Sequence, residues 1–263
     1  MSHTQDFLLN KKVKILQPNN GYRASIDAVV LASMVKNIKN NQKVLDVGSG
    51  TGAVSLCIAQ RFNDKNIEIH GLEIQEKLSD LSNQSAKLNN FDNLLYHNVN
   101  IKNKMTEISP NSFDHVVSNP PYASNDFASP NPSKARAHNE SELDLNEWVK
   151  FCLKMLKQKG MFYMINRVER LDDIIKACYG KVGAIEIIPI FSKPDDVEAK
   201  RVIVIAQKAM KTPLKINKGF YMHEKDLSYS KKANDILVNA KSYWDWFIFY
   251  KLDSYFHLQI SLF

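Results

Sequence analysis

Apolar positions along the chain follow two alternating rhythms. Short runs occur at Lys43 to Val47, Ile67 to Glu73, Leu94 to His97, Phe113 to Ser118 and Met161 to Ile165, with two more near 184–191 and 201–207. Their length and content predict seven strands. Between them apolar residues recur at helical spacing. Ile26, Val29, Val30, Ser33 and Met34 mark a helix from Ala24 to Asn37, with Ser25 as N-cap and Asp27 placed favourably in its first turn. Further helices are predicted over Ala53 to Arg61, residues 75–91, Leu143 to Lys157 (ended by Lys159-Gly160) and Val168 to Tyr179. Residues 7–23 mix apolar positions with Lys11, Lys12, Lys14 and Arg23 and yield no element. Strands alternating with helices predict an α/β fold, a mainly parallel seven-stranded sheet covered on both faces. The last two strands, joined by a charged link from Lys193 to Lys200, predict an antiparallel edge hairpin.

Composition narrows the class. A chain of 263 residues, 44% hydrophobic and 24% charged, fits one large globular domain. We expect that domain over 1–240, followed by an aromatic-rich extension over 241–263. The polar start, Met1 to Asp6, has no signal-peptide pattern, and the apolar segment Trp244 to Tyr250 is too short to span a bilayer. Cys57, Cys152 and Cys178 lack metal spacing, so a cytoplasmic protein with structural thiols and no metal is expected. The net charge of +7 suits either a solvated basic surface or a polyanionic partner such as nucleic acid.

Three stretches carry chemistry. Asp46-Val47-Gly48-Ser49-Gly50-Thr51-Gly52 joins a strand to a helix. Its glycines allow a sharp turn and close ligand approach, and the helix offers unpaired N–H groups. The spacing is G-x-G-x-G, not the G-x-G-x-x-G of dinucleotide binders, which suits a ligand without a pyrophosphate. Glu73, about 20 residues on at a strand end, is either a solvated carboxylate or an acceptor for ribose hydroxyls. Ser118-Asn119-Pro120-Pro121-Tyr122 ends the fourth strand. It reads as a proline turn, or as a grip on a planar amine: an amide for hydrogen bonds, two prolines that halt the strand, and a ring for stacking. Residues 123–142, with Pro130 and Pro132, read as a loop able to cover the site.

Together these motifs resemble the class I S-adenosylmethionine (SAM) methyltransferases, with Asn119-Pro120-Pro121-Tyr122 similar to the N-P-P-Y motif of amino-methylating members. A wider resemblance, from about residue 7 to 238, is to the bacterial tRNA1(Val) adenine-37 N6-methyltransferase family. It adds Gly21-Tyr22-Arg23, Asp27 to Leu31, Lys134 to Glu140, Glu169-Arg170-Leu171 and Tyr221 to Glu224. The resemblance implies a Rossmann-like fold, SAM as cofactor and N6-methylation of a tRNA adenine. It implies cofactor binding by Asp46, Gly48, Gly50, Gly52, Glu73, Asn100 and Asn119. Asn119, Pro120, Pro121 and Tyr122 then hold and activate the target base. Asn100 stands where family members usually carry an acid, which removes charge assistance from that contact. No general base is needed before attack, so neither His115 nor His138 is assigned a catalytic role.

Arg23, Arg136, His138, Lys193, Lys200, Arg201 and the Lys211–Lys218 run are candidates for RNA contact. Two alternatives remain at this point: N5-methylation of a glutamine in a peptide chain release factor, and an RNA-binding module that holds SAM poorly. The first is disfavoured by the short stretch before Lys43. A monomer is expected.

Overall fold

The computed structural model describes residues 2–103, 108–121 and 144–246. Tyr122, the 123–142 loop with Arg136 and His138, and the extension from 247 onward lie outside the described residues.

The chain opens with an antiparallel hairpin, β1 (His3–Leu8) and β2 (Val13–Pro18), where the sequence predicted no element. Its turn runs through Leu9, Asn10 and Lys11, all at positive φ. The hairpin docks on a later helix, the Leu16 N–H donating to Ser85 Oγ at 2.9 Å. Helix α1 (Ile26–Met34) follows. Ser25 takes the N-cap position, but its side chain makes no capping bond; its carbonyl accepts the Ala28 N–H instead.

Then come β3 (Lys43–Val47), α2 (Ala53–Arg61), β4 (Glu68–Glu73), α3 (Glu76–Leu88), β5 (Leu94–Asn98), β6 (Phe113–Ser118), α4 (Leu145–Met155), β7 (Leu156–Arg167), α5 (Leu171–Cys178), β8 (Val182–Phe191) and β9 (Arg201–Lys208). Their seven strands form one sheet in the order β5-β4-β3-β6-β7-β9-β8, with β9 antiparallel to both neighbours. Two short strands, β10 (Lys215–Ile216) and β11 (Phe220–Tyr221), run parallel beside β8, so the predicted hairpin lies one strand in from the rim. Residues 156–160, predicted as a helix end and cap, belong to β7, because Leu156 already pairs with Phe113. A 3₁₀ turn over Val168–Arg170 precedes α5.

Helices cover both faces. Helices α1, α2 and the last helix, α6 (Lys231–Leu237), share one buried apolar cluster; α4 and α5 share the other. Residues 242–244 close the first cluster. Tyr243 is 1% exposed, its N–H donates to Ser33 O at 3.1 Å, and Trp244 Nε1 donates to Met34 O at 2.7 Å. The first residues of the expected extension are thus packed against α1.

From β3 the chain steps outward through β4 to β5, then returns to β6 on the other side of β3. Sheets of this kind leave a crevice at the carboxyl ends of the strands where the order reverses. Here that point lies between β3 and β6, which end in the glycine turn and in Asn119.

Candidate active site

The glycine turn is shaped by three residues at positive φ: Gly48 (74°), Gly50 (56°) and Gly52 (83°). Aromatic rings crowd it. A Cβ on Gly48 would lie 2.8 Å from the Trp148 ring, and one on Gly50 would lie 2.6 Å from the Tyr22 ring. The Gly48 and Ser49 N–H groups both donate to Leu72 O at 2.9 Å, which ties the turn to β4.

Glu73 is 6% exposed and fastened at both oxygens. Oε2 accepts the Gly50 N–H at 2.8 Å and Oε1 accepts the Gln75 N–H at 2.9 Å. Burial raises its pKa, while these backbone bonds oppose the rise. Asp46, 1% exposed, accepts the Ser55 N–H and hydroxyl on Oδ2 at 3.2 and 2.9 Å. Its Oδ1 is buried without a partner, as are Ser49 Oγ and Thr51 Oγ1. Burial pushes the Asp46 carboxyl up to about 7. Ser55 also bonds Tyr96, whose hydroxyl donates to Gly52 O at 3.2 Å beneath the turn.

One cleft brings the predicted residues together. Gly48, Gly50, Glu73, Asn100, Asn119 and Pro121 line it, with Tyr22 and Trp148 as aromatic walls. Asp46 and Gly52 are buried and do not line it. Asn100 Oδ1 already accepts the Lys102 N–H at 3.0 Å, so one lone pair is left for a ligand. Burial, then the charges of Asp46, Glu73 and Asp27, raise the Tyr22 hydroxyl to about 12. Such a cleft suits a cationic ligand with a flat ring and hydroxyls. SAM has those groups: a sulfonium, an ammonium, a ribose and an adenine. The orphaned Asp46 oxygen and the glycine cradle fit it.

Tyr22 and Trp148 were missed as site residues. Trp148 sits at helical spacing and reads as core; Tyr22 was visible only as part of Gly21-Tyr22-Arg23. His115 lies at the far end of the sheet, 3% exposed, bonded to Gln42 Oε1 at 3.1 Å and kept neutral by burial, which lowers it to about 4.

Of the expected RNA contacts, Lys193, Lys200 and Arg201 lie at the carboxyl edge of the sheet, by the ends of β8 and β9, and Arg23 follows Tyr22 of the cleft wall; none of the four lines the cleft. Two carry counter-charges. Arg23 Nη2 pairs with Asp6 at 2.7 Å, and Arg201 Nε with Asp27 at 3.0 Å. Lys193 and Lys200 are exposed. Lys211 lies at the opposite edge, because neighbouring Thr212 accepts the Ala184 N–H at the start of β8. Among the described residues no group of His, Cys, Asp and Glu has metal-binding geometry, and no helix is long and apolar enough to cross a membrane.

Comparison with known proteins agrees with this geometry. A family model described as a methyltransferase domain matches residues 38–193. A tRNA1(Val) (adenine(37)-N6)-methyltransferase of Pedobacter heparinus is 28% identical over 199 residues, 74% of this chain and 82% of the relative. The same-named protein of Dyadobacter fermentans is 24% identical over 220 residues, 82% and 88% of the two chains. In structure, a predicted O-methyltransferase from Agrobacterium tumefaciens superposes with a TM-score of 0.67 at 21% identity, covering 82% of this chain and 97% of that one. Pyrococcus horikoshii TYW2, solved with MeSAdo, gives 0.53 at 13% identity over 78% and 71%. The sheet order, the acid-lined glycine cleft and a family match over more than half its length make this chain a member of the methyltransferase domain family, a class I SAM-dependent methyltransferase.

Proposed function

We propose that the protein methylates N6 of an adenine in tRNA, beside the anticodon of a valine tRNA. The observation that carries this reading is the shared cleft: Asn119 and Pro121 open into the same space as Glu73 and the glycine turn. The names of the relatives supply the nucleic-acid class.

Bound here, the cofactor supplies an electrophilic methyl group on a sulfonium. The chain's own part is placement and charge. Asp46 and Glu73 offset the cofactor's positive charge, Glu73 holds the ribose hydroxyls and Asn100 accepts from the adenine amine. The target adenine is unstacked to enter. The Asn119 side chain and the Pro120 carbonyl accept from its N6–H groups, turning the nitrogen lone pair out of the ring plane toward the methyl group. Tyr122 stacks on the base.

Labelled SAM incubated with total tRNA from a strain lacking the activity tests this. N6-methyladenosine at the position next to a valine anticodon is expected. Label on a release-factor glutamine, or no transfer to any tRNA, overturns it. A second prediction concerns the basic residues. Arg23, Lys193, Lys200 and Arg201, with Arg136 and His138, contact phosphates, so tRNA affinity falls about a hundredfold or more between 50 and 200 mM salt. Filter binding across that range checks this; a flat response counts against the surface.

A further inference from the structure

The two turns that meet in the cleft are joined by a bridge through one of its walls. Trp148 sits one turn into α4, its N–H bonded to Asp144 O. Its indole Nε1–H donates to Ser118 Oγ at 2.8 Å, and the Ser118 hydroxyl donates to Val47 O at 2.8 Å. Ser118 is 0% exposed and Trp148 is 8% exposed. Ser118 and Val47 are register partners in adjacent parallel strands. Val47 immediately precedes Gly48, and Ser118 immediately precedes Asn119. The same indole ring lies against Gly48.

A buried serine following Val116-Val117 contributes little apolar contact. Its hydroxyl serves here as an acceptor for the indole and a donor to β3. A buried tryptophan needs a partner for its N–H, and Ser118 is that partner. One side chain from α4 therefore touches the glycine turn with its ring and fixes the strand end before Asn119 with its nitrogen.

We propose that Trp148 is a positioning residue, acting through Ser118, that sets the Asn119 turn relative to the glycine turn. The methyl donor is held by one turn and its acceptor by the other, and a misplacement of about 1 Å between them costs on the order of a hundredfold in rate. The proposal rests on the methyltransferase reading of the cleft, not on which RNA enters it.

Trp148→Phe keeps an aromatic wall and removes the donor. Ser118→Ala removes the acceptor. Each is expected to lower kcat about tenfold while the SAM Kd, read by calorimetry, stays within about threefold. The double variant Trp148→Phe/Ser118→Ala is expected to be no slower than either single one, because both act on one bridge. Hydrogen exchange in the free protein is expected to quicken about tenfold at the Val117 to Asn119 amides in all three, with β4 unchanged. Three results overturn the proposal: additive losses in the double variant, a SAM Kd that worsens in step with kcat, or kcat and exchange both unchanged. If wild-type protein methylates no tRNA, the substrate reading fails alone. The calorimetric and exchange arms then decide this proposal, since neither needs a methyl acceptor.

Discussion

Replacing Asn119 with alanine lowers kcat for methyl transfer about a thousandfold and weakens SAM binding far less. The size follows from its proposed task. An exocyclic adenine nitrogen is a weak nucleophile because its lone pair is spread into the ring. The amide oxygen of Asn119 acts where charge develops on that nitrogen, an interaction that strengthens in the transition state and so enters kcat rather than KM. The strand end beneath it is fixed: Ser118 is fully buried and bonded on both sides. Truncation at Asn119 therefore removes a hydrogen-bonding group without loosening β6. Asn119→Asp separates the amide from its oxygen: it keeps the acceptor, adds a charge and should recover part of the rate. Single-turnover kinetics with calorimetry provides the measurement. An Asn119→Ala variant with more than a tenth of wild-type kcat would refute the role.

The second large effect is expected at Asp46 and has opposite signs for stability and activity. Its carboxyl titrates near 7 in the folded protein because burial penalises the ionised form, against an ordinary value of 3.8. Below pH 4 both folded and unfolded chains hold the proton and nothing is lost. Between about 4 and 7 the unfolded chain ionises first, so folding is progressively disfavoured. Above 7 the full cost is present, up to about 4 kcal/mol. Asp46→Asn keeps an acceptor for the Ser55 N–H and hydroxyl and removes the titration. At pH 8 the free variant should melt about 5–10 °C above wild type, with the difference vanishing near pH 4. SAM binding should weaken tenfold or more, because the carboxylate is proposed to offset the cofactor's positive charge. Thermal melts across pH with and without SAM test both halves. Parallel melting curves for the two proteins, or equal SAM affinity, would count against this account of Asp46.

Much of this was legible in the chain. The run from Val44 to Arg61 announces itself because every level agrees: an apolar strand, glycines where positive φ is needed, then apolar residues at helical spacing. Phe113 to Ser118 was read to its exact ends because Pro120 and Pro121 cannot continue a strand. The hairpin at the start was not legible. Its turn uses Leu9, Asn10 and Lys11 at positive φ with no glycine, so the usual hairpin signal is missing. The pairing of Asp27 with Arg201 joins residues 174 apart, which no local pattern encodes. Trp148 was hidden for a different reason: a tryptophan on the apolar face of a helix carries the same signature whether it fills a core or walls a cleft.

The docking of residues 242–244 on α1 has a consequence for synthesis. The last carbonyls of that helix, on Ser33 and Met34, receive their donors from residues made 209 and 210 positions later. At roughly 5–20 residues per second on the ribosome, α1 waits on the order of 10 to 40 seconds for its closing piece. Until then the apolar ground beneath Tyr243 is uncovered. The apolar cluster under α1 is therefore complete only once residues 242–244 have been made.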